Sequence, residues 1–159
     1  MIGKLYALAA AVIVTALCAS PAFAVRDVDL PPFEVHTMDS GLTVYLVRTG
    51  ELPLVTFRLL VPAGSIRDGE GSEGLASLTA GMLLRGAGGM SAEELYSAVE
   101  GVGGRLEAYA RRDYTIVEGD FLARDVELGL DLLARAIVSP EFLEDELERE
   151  KGVVLASLR

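Results

Sequence analysis

Segments with the two-residue period of strands occur in this chain in two separate blocks, and helical spacing follows each block. In the first block, Phe33 to Met38 and Leu42 to Arg48 flank the turn signal Asp39-Ser40-Gly41, which predicts a hairpin. Leu54 to Val61 is strongly apolar around Arg58 and reads as a third, largely buried strand. Ala63 to Gly74 is a loop rich in glycine and charge, and Leu75 to Leu84 returns to helical spacing. Gly86 to Gly89 breaks the chain. Ser91, with Glu94 three residues on, is a capping box that opens a helix carrying Leu95, Ala98 and Val99 on one face. Gly101, Gly103 and Gly104 end it. The second block is Arg105 to Ala110 and Tyr114 to Leu122, followed by a helix from Asp125 to about Val138 with Leu128, Leu132 and Ala136 aligned. Ser139-Pro140 interrupts, and Glu141 to Arg159 reads as a last helix, acidic at its start as the helix dipole favours. Strands, helices, strands, helices is the order of an α+β unit: two layers, an antiparallel-rich sheet covered on one face by helices.

The N-terminus carries a different signal. Lys4, an apolar run from Leu5 to Leu17 and the end Ala22-Phe23-Ala24 have the form of a secretory signal peptide over residues 1–24, leaving residues 25–159 as the exported domain. The run is shorter than the roughly 20 apolar residues of a membrane span. Cys18, the single cysteine, follows Leu17 where lipid attachment wants a small residue; cleavage after Ala24 removes it, and disulfides then play no part in the processed chain. The formal net charge is −10, and removal of the leader takes away one lysine and no acid. Such a surface argues against nucleic acid and against an anionic membrane as partners. The C-terminal Leu158-Arg159 lies inside a helical pattern without a stop signal, which suggests a piece of a longer protein.

The residues that bear on chemistry are those of Gly74-Leu75-Ala76-Ser77-Leu78-Thr79-Ala80-Gly81-Met82-Leu83-Leu84-Arg85-Gly86. This frame resembles the metal helix of the M16 zinc peptidases (pitrilysin, insulinase and mitochondrial processing peptidase-like), which reads Gly-Leu-Ala-His-x-x-Glu-His-Met-Leu-x-x-Gly in active members. Further landmarks follow in the family's order. Gly64-Ser65-Ile66-Arg67-Asp68 is similar to the loop before the metal helix, and Gly103-Gly104 with Ala108 is similar to the substrate-side strand, where Glu107 stands in place of an Asn. Ser139-Pro140 with Phe142 is similar to the break after the third helix. Glu150-Lys151-Gly152-Val153-Val154-Leu155 resembles the helix that brings the last zinc ligand. The resemblance implies the two-layer metallohydrolase fold shared by LuxS and mitochondrial processing peptidase. It also implies that Ser77 and Gly81 stand at the two His ligand positions, Ala80 at the general base and Ser157 at the third ligand, while an acid seven residues before that ligand is retained as Glu150. Zinc needs three or four N, S or carboxylate donors. Without the metal and the Glu, nothing lowers the pKa of water or takes its proton.

Other residues have plainer readings. His36 is the sole histidine and cannot rebuild a zinc site. Asp39, Glu70 and Glu73 read as solvated loop acids, Arg111-Arg112 as surface charge, and Glu141, Glu144, Asp145, Glu146, Glu148 and Glu150 as an exposed helix face. Neither glycine cluster has phosphate-loop spacing. The expectation is an exported, periplasmic, non-catalytic homologue with no cofactor of its own. Its implied partners are a peptide and an active M16 subunit that holds the zinc. The alternatives are a stand-alone peptide-binding or scaffold protein and, behind it, an active zinc metalloendopeptidase.

Overall fold

The computed structural model describes residues 30–50 and 52–157. The predicted leader 1–24, Cys18, Leu158 and Arg159 lie outside the described residues. Among the described residues no helix is long and apolar enough to cross a membrane. The chain divides into two compact units after Arg48.

The first unit holds the predicted hairpin. Strands β1 (Phe33–Thr37) and β2 (Thr43–Val47) pair antiparallel, from Phe33 opposite Val47 to Thr37 opposite Thr43. Gly41 takes φ 86° in the turn, a conformation that glycine adopts without steric penalty. Alternation puts Phe33, Val35, Tyr45 and Val47 on one face, with the Phe33 and Tyr45 rings 6.2 Å apart.

In the second unit β3 (Leu54–Val61), β6 (Arg105–Ala110) and β7 (Thr115–Leu122) form an antiparallel sheet in the order β3-β7-β6. The central strand β7 buries Thr115, Val117, Gly119 and Phe121 and turns Ile116, Glu118, Asp120 and Leu122 the other way. The buried face meets α1 (Leu75–Met82), α2 (Ala92–Gly101) and α3 (Val126–Val138). Leu83, Leu84, Leu95, Val99, Leu132 and Ala136 complete the core, which fits one sheet covered by helices on one face.

Phe121 is the hub of that core. Its ring stacks on Phe57, centroids 5.7 Å apart and planes 9° from parallel. Three glycines surround it: a Cβ on Gly104, Gly119 or Gly129 would each come within 2.6 Å of a Phe121 or Phe57 ring atom. The ring therefore lies directly against backbone, and those positions exclude any side chain.

Three expectations need correction. The strand β3 is not largely buried: only Val55, Phe57, Leu59 and Val61 are half-buried, and Leu54 and Leu60 are 51% and 50% exposed. It is an edge strand of this sheet, and helices cover just one face. Gly86 to Gly89 is more than a break, because β4 (Gly86–Ala87) and β5 (Met90–Ser91) form a small hairpin with Gly88 and Gly89 at φ 58° and 82°. The last helix, α4, runs Glu144–Ser157 and does not begin at Glu141. Residues 139–141 are engaged with the small hairpin instead: Gly88 N donates to Ser139 O, Glu141 N donates to Gly86 O, and Gly89 N donates to the Glu141 carboxylate at 2.7 Å. Leu75 of the motif helix is 53% exposed, and packing of α1 rests on Ala80, Met82 and the following Leu83 and Leu84.

Local caps match their sequence signals. The capping box is formed in both directions: Ser91 N donates to the Glu94 carboxylate at 2.8 Å and Glu94 N donates to Ser91 Oγ at 3.3 Å. These bonds to Ser91 hold the Glu94 carboxyl below its ordinary value of 4.5. The stability it contributes is then complete above that value and disappears as pH falls through the lower folded value. The stability difference between the protein and its Glu94→Gln variant should shrink as pH is lowered past 4.5, measured by urea midpoints along a pH series. A constant gap would mean that the carboxylate is not the group responsible.

Candidate functional site

The motif helix is set by its N-terminus. Gly74 at the N-cap has no side chain to cap with, and Asp68 supplies the acceptors from the preceding loop. Its carboxylate accepts from Gly74 N and from Ala76 N, both at 3.0 Å. Asp68→Ala should destabilise the protein by about 0.5–2 kcal/mol, the range for loss of a helix N-cap, read as a lower denaturant midpoint. Unchanged stability would show that water replaces both bonds without loss. The loop itself is anchored on the β6–β7 turn, where Ser65 N and Ile66 N donate to the carbonyls of Arg111 and Arg112, each at 2.9 Å.

Along α1, Ser77 and Gly81 are four residues apart and share a face. Ser77 is exposed, Ala80 is wholly buried and Gly81 is half-buried. Helix α4 packs against α1 and brings Glu150 onto Gly81. The contact is close: a Cβ built on Gly81 would fall on Glu150 Oε1 and lie 2.7 Å from Glu150 Cδ. Glu150 is 8% exposed, which corrects its assignment to an exposed acidic face. Glu141, Glu144, Asp145 and Glu148 do lie on the surface. The buried carboxylate has a partner 65 residues away in sequence: Arg85 Nε and Nη2 donate to Glu150 Oε2 at 3.1 and 3.0 Å. Burial of a carboxylate is costly unless it is paired in this way. The Arg85 guanidinium also stands 6.0 Å from the centre of the Tyr96 ring.

A cleft of about 420 Å³ opens at this junction. Gly81, Arg85 and Glu150 form one wall, Tyr96, Val99 and Glu100 of α2 a second, and Gly104 to Tyr109 a third. The third wall is β6, an edge strand of the three-stranded sheet. Of the strand residues singled out from the sequence, Gly104, Glu107 and Ala108 border the cleft and Gly103, in left-handed conformation at φ 65°, does not. Glu107 is paired with Arg105 through Arg105 Nη2, and Gly104 is held against the Phe121 ring. Ser77 and Ala80 do not line the cleft, and Ser157 is at the C-terminal end of α4. Tyr96 and Glu100 carry no motif, and only the packing of α2 beside β6 reveals them as wall residues.

The donor set does not fit zinc. Ala80 and Gly81 offer no ligand atom, Ser77 a neutral hydroxyl, and the carboxylate that meets α1, Glu150, is already engaged by a guanidinium. A fixed cation about 3 Å from that carboxylate opposes a second cation. Among the described residues no group of three or more His, Cys, Asp or Glu could hold a metal ion. His36 belongs to the hairpin unit, is exposed, and is 3.4 Å from Glu34 Oε2. No hydrolytic step can be written through a metal with these residues.

Comparison with known proteins agrees with the frame of the motif. The family described as Insulinase (Peptidase family M16) matches residues 43–159. The mouse (Mus musculus) protein named mitochondrial-processing peptidase subunit beta is 30% identical over 131 residues, which is 82% of this chain and 27% of that protein. The chain thus spans about a quarter of the length of that relative. Among solved structures, one described as a peptidase M16 inactive domain from Pseudomonas fluorescens superposes with a TM-score of 0.73 at 31% identity, covering 79% of this chain and 31% of that one. The crystal structure of pitrilysin also gives a TM-score of 0.73, at 28% identity over 86% of this chain and 15% of that one.

Proposed function

Because this chain belongs to the insulinase family of peptidases, M16, we propose that it is an exported, non-catalytic member that joins an active M16 subunit and supplies wall and peptide contacts to a shared chamber. The observation that carries the reading is the contrast within α1. The helix is capped by Asp68 and packed through Ala80 and Met82, while the places that the motif resemblance matches to the family's two His ligands and general base hold Ser77, Gly81 and Ala80. A frame kept without its chemistry is what a subunit retained for assembly requires. Two features support peptide contact. The edge strand β6 borders the cleft, and an extended chain can add to such an edge through main-chain hydrogen bonds. The sheet face turned away from the helices carries paired polar groups, with Thr56 Oγ1 donating to Asp120 at 2.6 Å and Tyr109 donating to Glu118 at 3.1 Å. Such a face suits contact with water and a passing peptide. Pairing is supported by the relative named as subunit beta, and export to the periplasm by the leader read over residues 1–24.

The test is affinity purification of the full-length, leader-processed protein from its own cells. An M16 subunit carrying an intact His-x-x-Glu-His should come down with it, and the pair should cleave peptides while this protein alone does not. Chelator-sensitive cleavage by this protein alone would sink the reading. Peptide binding with no M16 partner present would replace it with a stand-alone binding or scaffold role.

A further inference from the structure

The structure assigns to the Arg85–Glu150 pair the task of joining the motif helix to the last helix, a join that is independent of metal in this chain. The argument starts from Gly81. In a frame of this kind a side chain at position 81 would project between α1 and α4, yet the space belongs to Glu150 Oε1. Glu150 Oε2 receives both donors of the Arg85 fork, and the two side chains are 10% and 33% exposed. One oxygen thus fills the gap left by the missing side chain and the other neutralises its charge on α1's own extension. The pair links residues 65 positions apart in the chain, and both line the cleft. A peptide lying along β6 therefore meets a neutral, paired wall where a metal centre would present a dication. Loss of the donors and closure of the gap are one coupled arrangement: a small residue at 81 is what lets Glu150 reach Arg85.

Charge pairing of this kind has an asymmetric signature. Removing the cation leaves a buried carboxylate with no partner, whereas removing both groups together leaves an apolar gap of modest consequence. This inference stands on the donor set and packing of the chain itself, and not on pairing with a second subunit, so its test is separate from the affinity purification.

Hydrogen exchange of α4 amides, read peptide by peptide in the full-length protein, gives a local measure of how firmly α4 is held on α1. Arg85→Met should lower protection across residues 147–155 by tenfold or more. The double variant Arg85→Met with Glu150→Met should recover at least half of that loss on a logarithmic scale. Arg85→Lys, which keeps the charge but not the fork, should fall between. The unsubstituted protein should exchange identically with chelator and with added zinc. Protection of α4 within twofold of normal in Arg85→Met, additive effects in the double variant, or zinc-dependent protection of α4 would each overturn the assignment. If Arg85→Met does not accumulate as folded protein, Arg85→Lys and the double variant carry the same comparison: a double variant no better protected than Arg85→Lys overturns it.

Discussion

Replacing Phe121 with alanine should lower stability by about 3–5 kcal/mol, the range for emptying a buried aromatic site. Phe121 is 1% exposed, stacks on Phe57 and fills a socket whose other walls are the backbone at Gly104, Gly119 and Gly129. Those walls belong to the residue before β6, to β7 and to α3, so the cavity cannot close by the shift of one side chain. A domain commonly has only about 5–15 kcal/mol in total, so the substitution removes a large share of it. The measurement is a urea or guanidinium midpoint, with Phe57→Ala as the control. Phe57 is half-buried, on the edge strand, and its truncation should have a clearly smaller effect. Equal losses for the two would show that the stacked pair, and not the glycine socket, carries the energy.

The second large effect has a sign opposite to the usual rule. A glycine in a helix interior normally gains about 1 kcal/mol when replaced by alanine. Gly129 lies within α3, so propensity alone favours Gly129→Ala. Its Cβ, however, would lie 2.6 Å from Phe121 Cδ2 and 2.7 Å from Cε2, and the ring is wedged against two other backbone segments with nowhere to move. Overpacking of a tight core typically costs about 1–3 kcal/mol, which exceeds the helix gain. Gly129→Ala should therefore be destabilised by about 1–2 kcal/mol net. Gly101→Ala is the companion measurement: Gly101 also lies in a helix, and open space surrounds the Cβ position. That variant should be neutral or stabilised. Stabilisation of both variants would mean that the Phe121 site relaxes and that the socket is not rigid.

Much of the architecture was readable along the chain because its signals are local. The turn at Asp39-Ser40-Gly41, the Ser91 and Glu94 capping box and the alternation of β7 each act within a few residues. Strand β6 was found at its observed limits, Arg105–Ala110, because glycines bound it on one side and charge on the other. The buried face of α3 likewise follows from the spacing of Leu132 and Ala136. Where the reading departed from the structure, distant partners decided. The apolar β3 is half-exposed because it is at a sheet edge, which no property of its own sequence reveals. The start of α4 is delayed because residues 139–141 bond to a hairpin some fifty residues earlier, as in the Gly89 to Glu141 contact with its separation of 52.

The candidate site divides in the same way. Sequence by itself determined that α1 forms and that Ser77, Ala80 and Gly81 bring no strong ligand, because side-chain chemistry at a given spacing on a helix needs no tertiary information. Tertiary structure alone decided that Glu150 is buried on Gly81 and answered by Arg85, and that both border a cleft closed by α2 and the edge of β6. The physical reason is range: helix periodicity is set by bonds three and four residues apart, while the contact between α1 and α4 depends on how two helices pack on a shared core. From the sequence Glu150 was a retained acid of the family pattern within an acidic run, with no sign of its burial; against Gly81 it is the group that closes the gap.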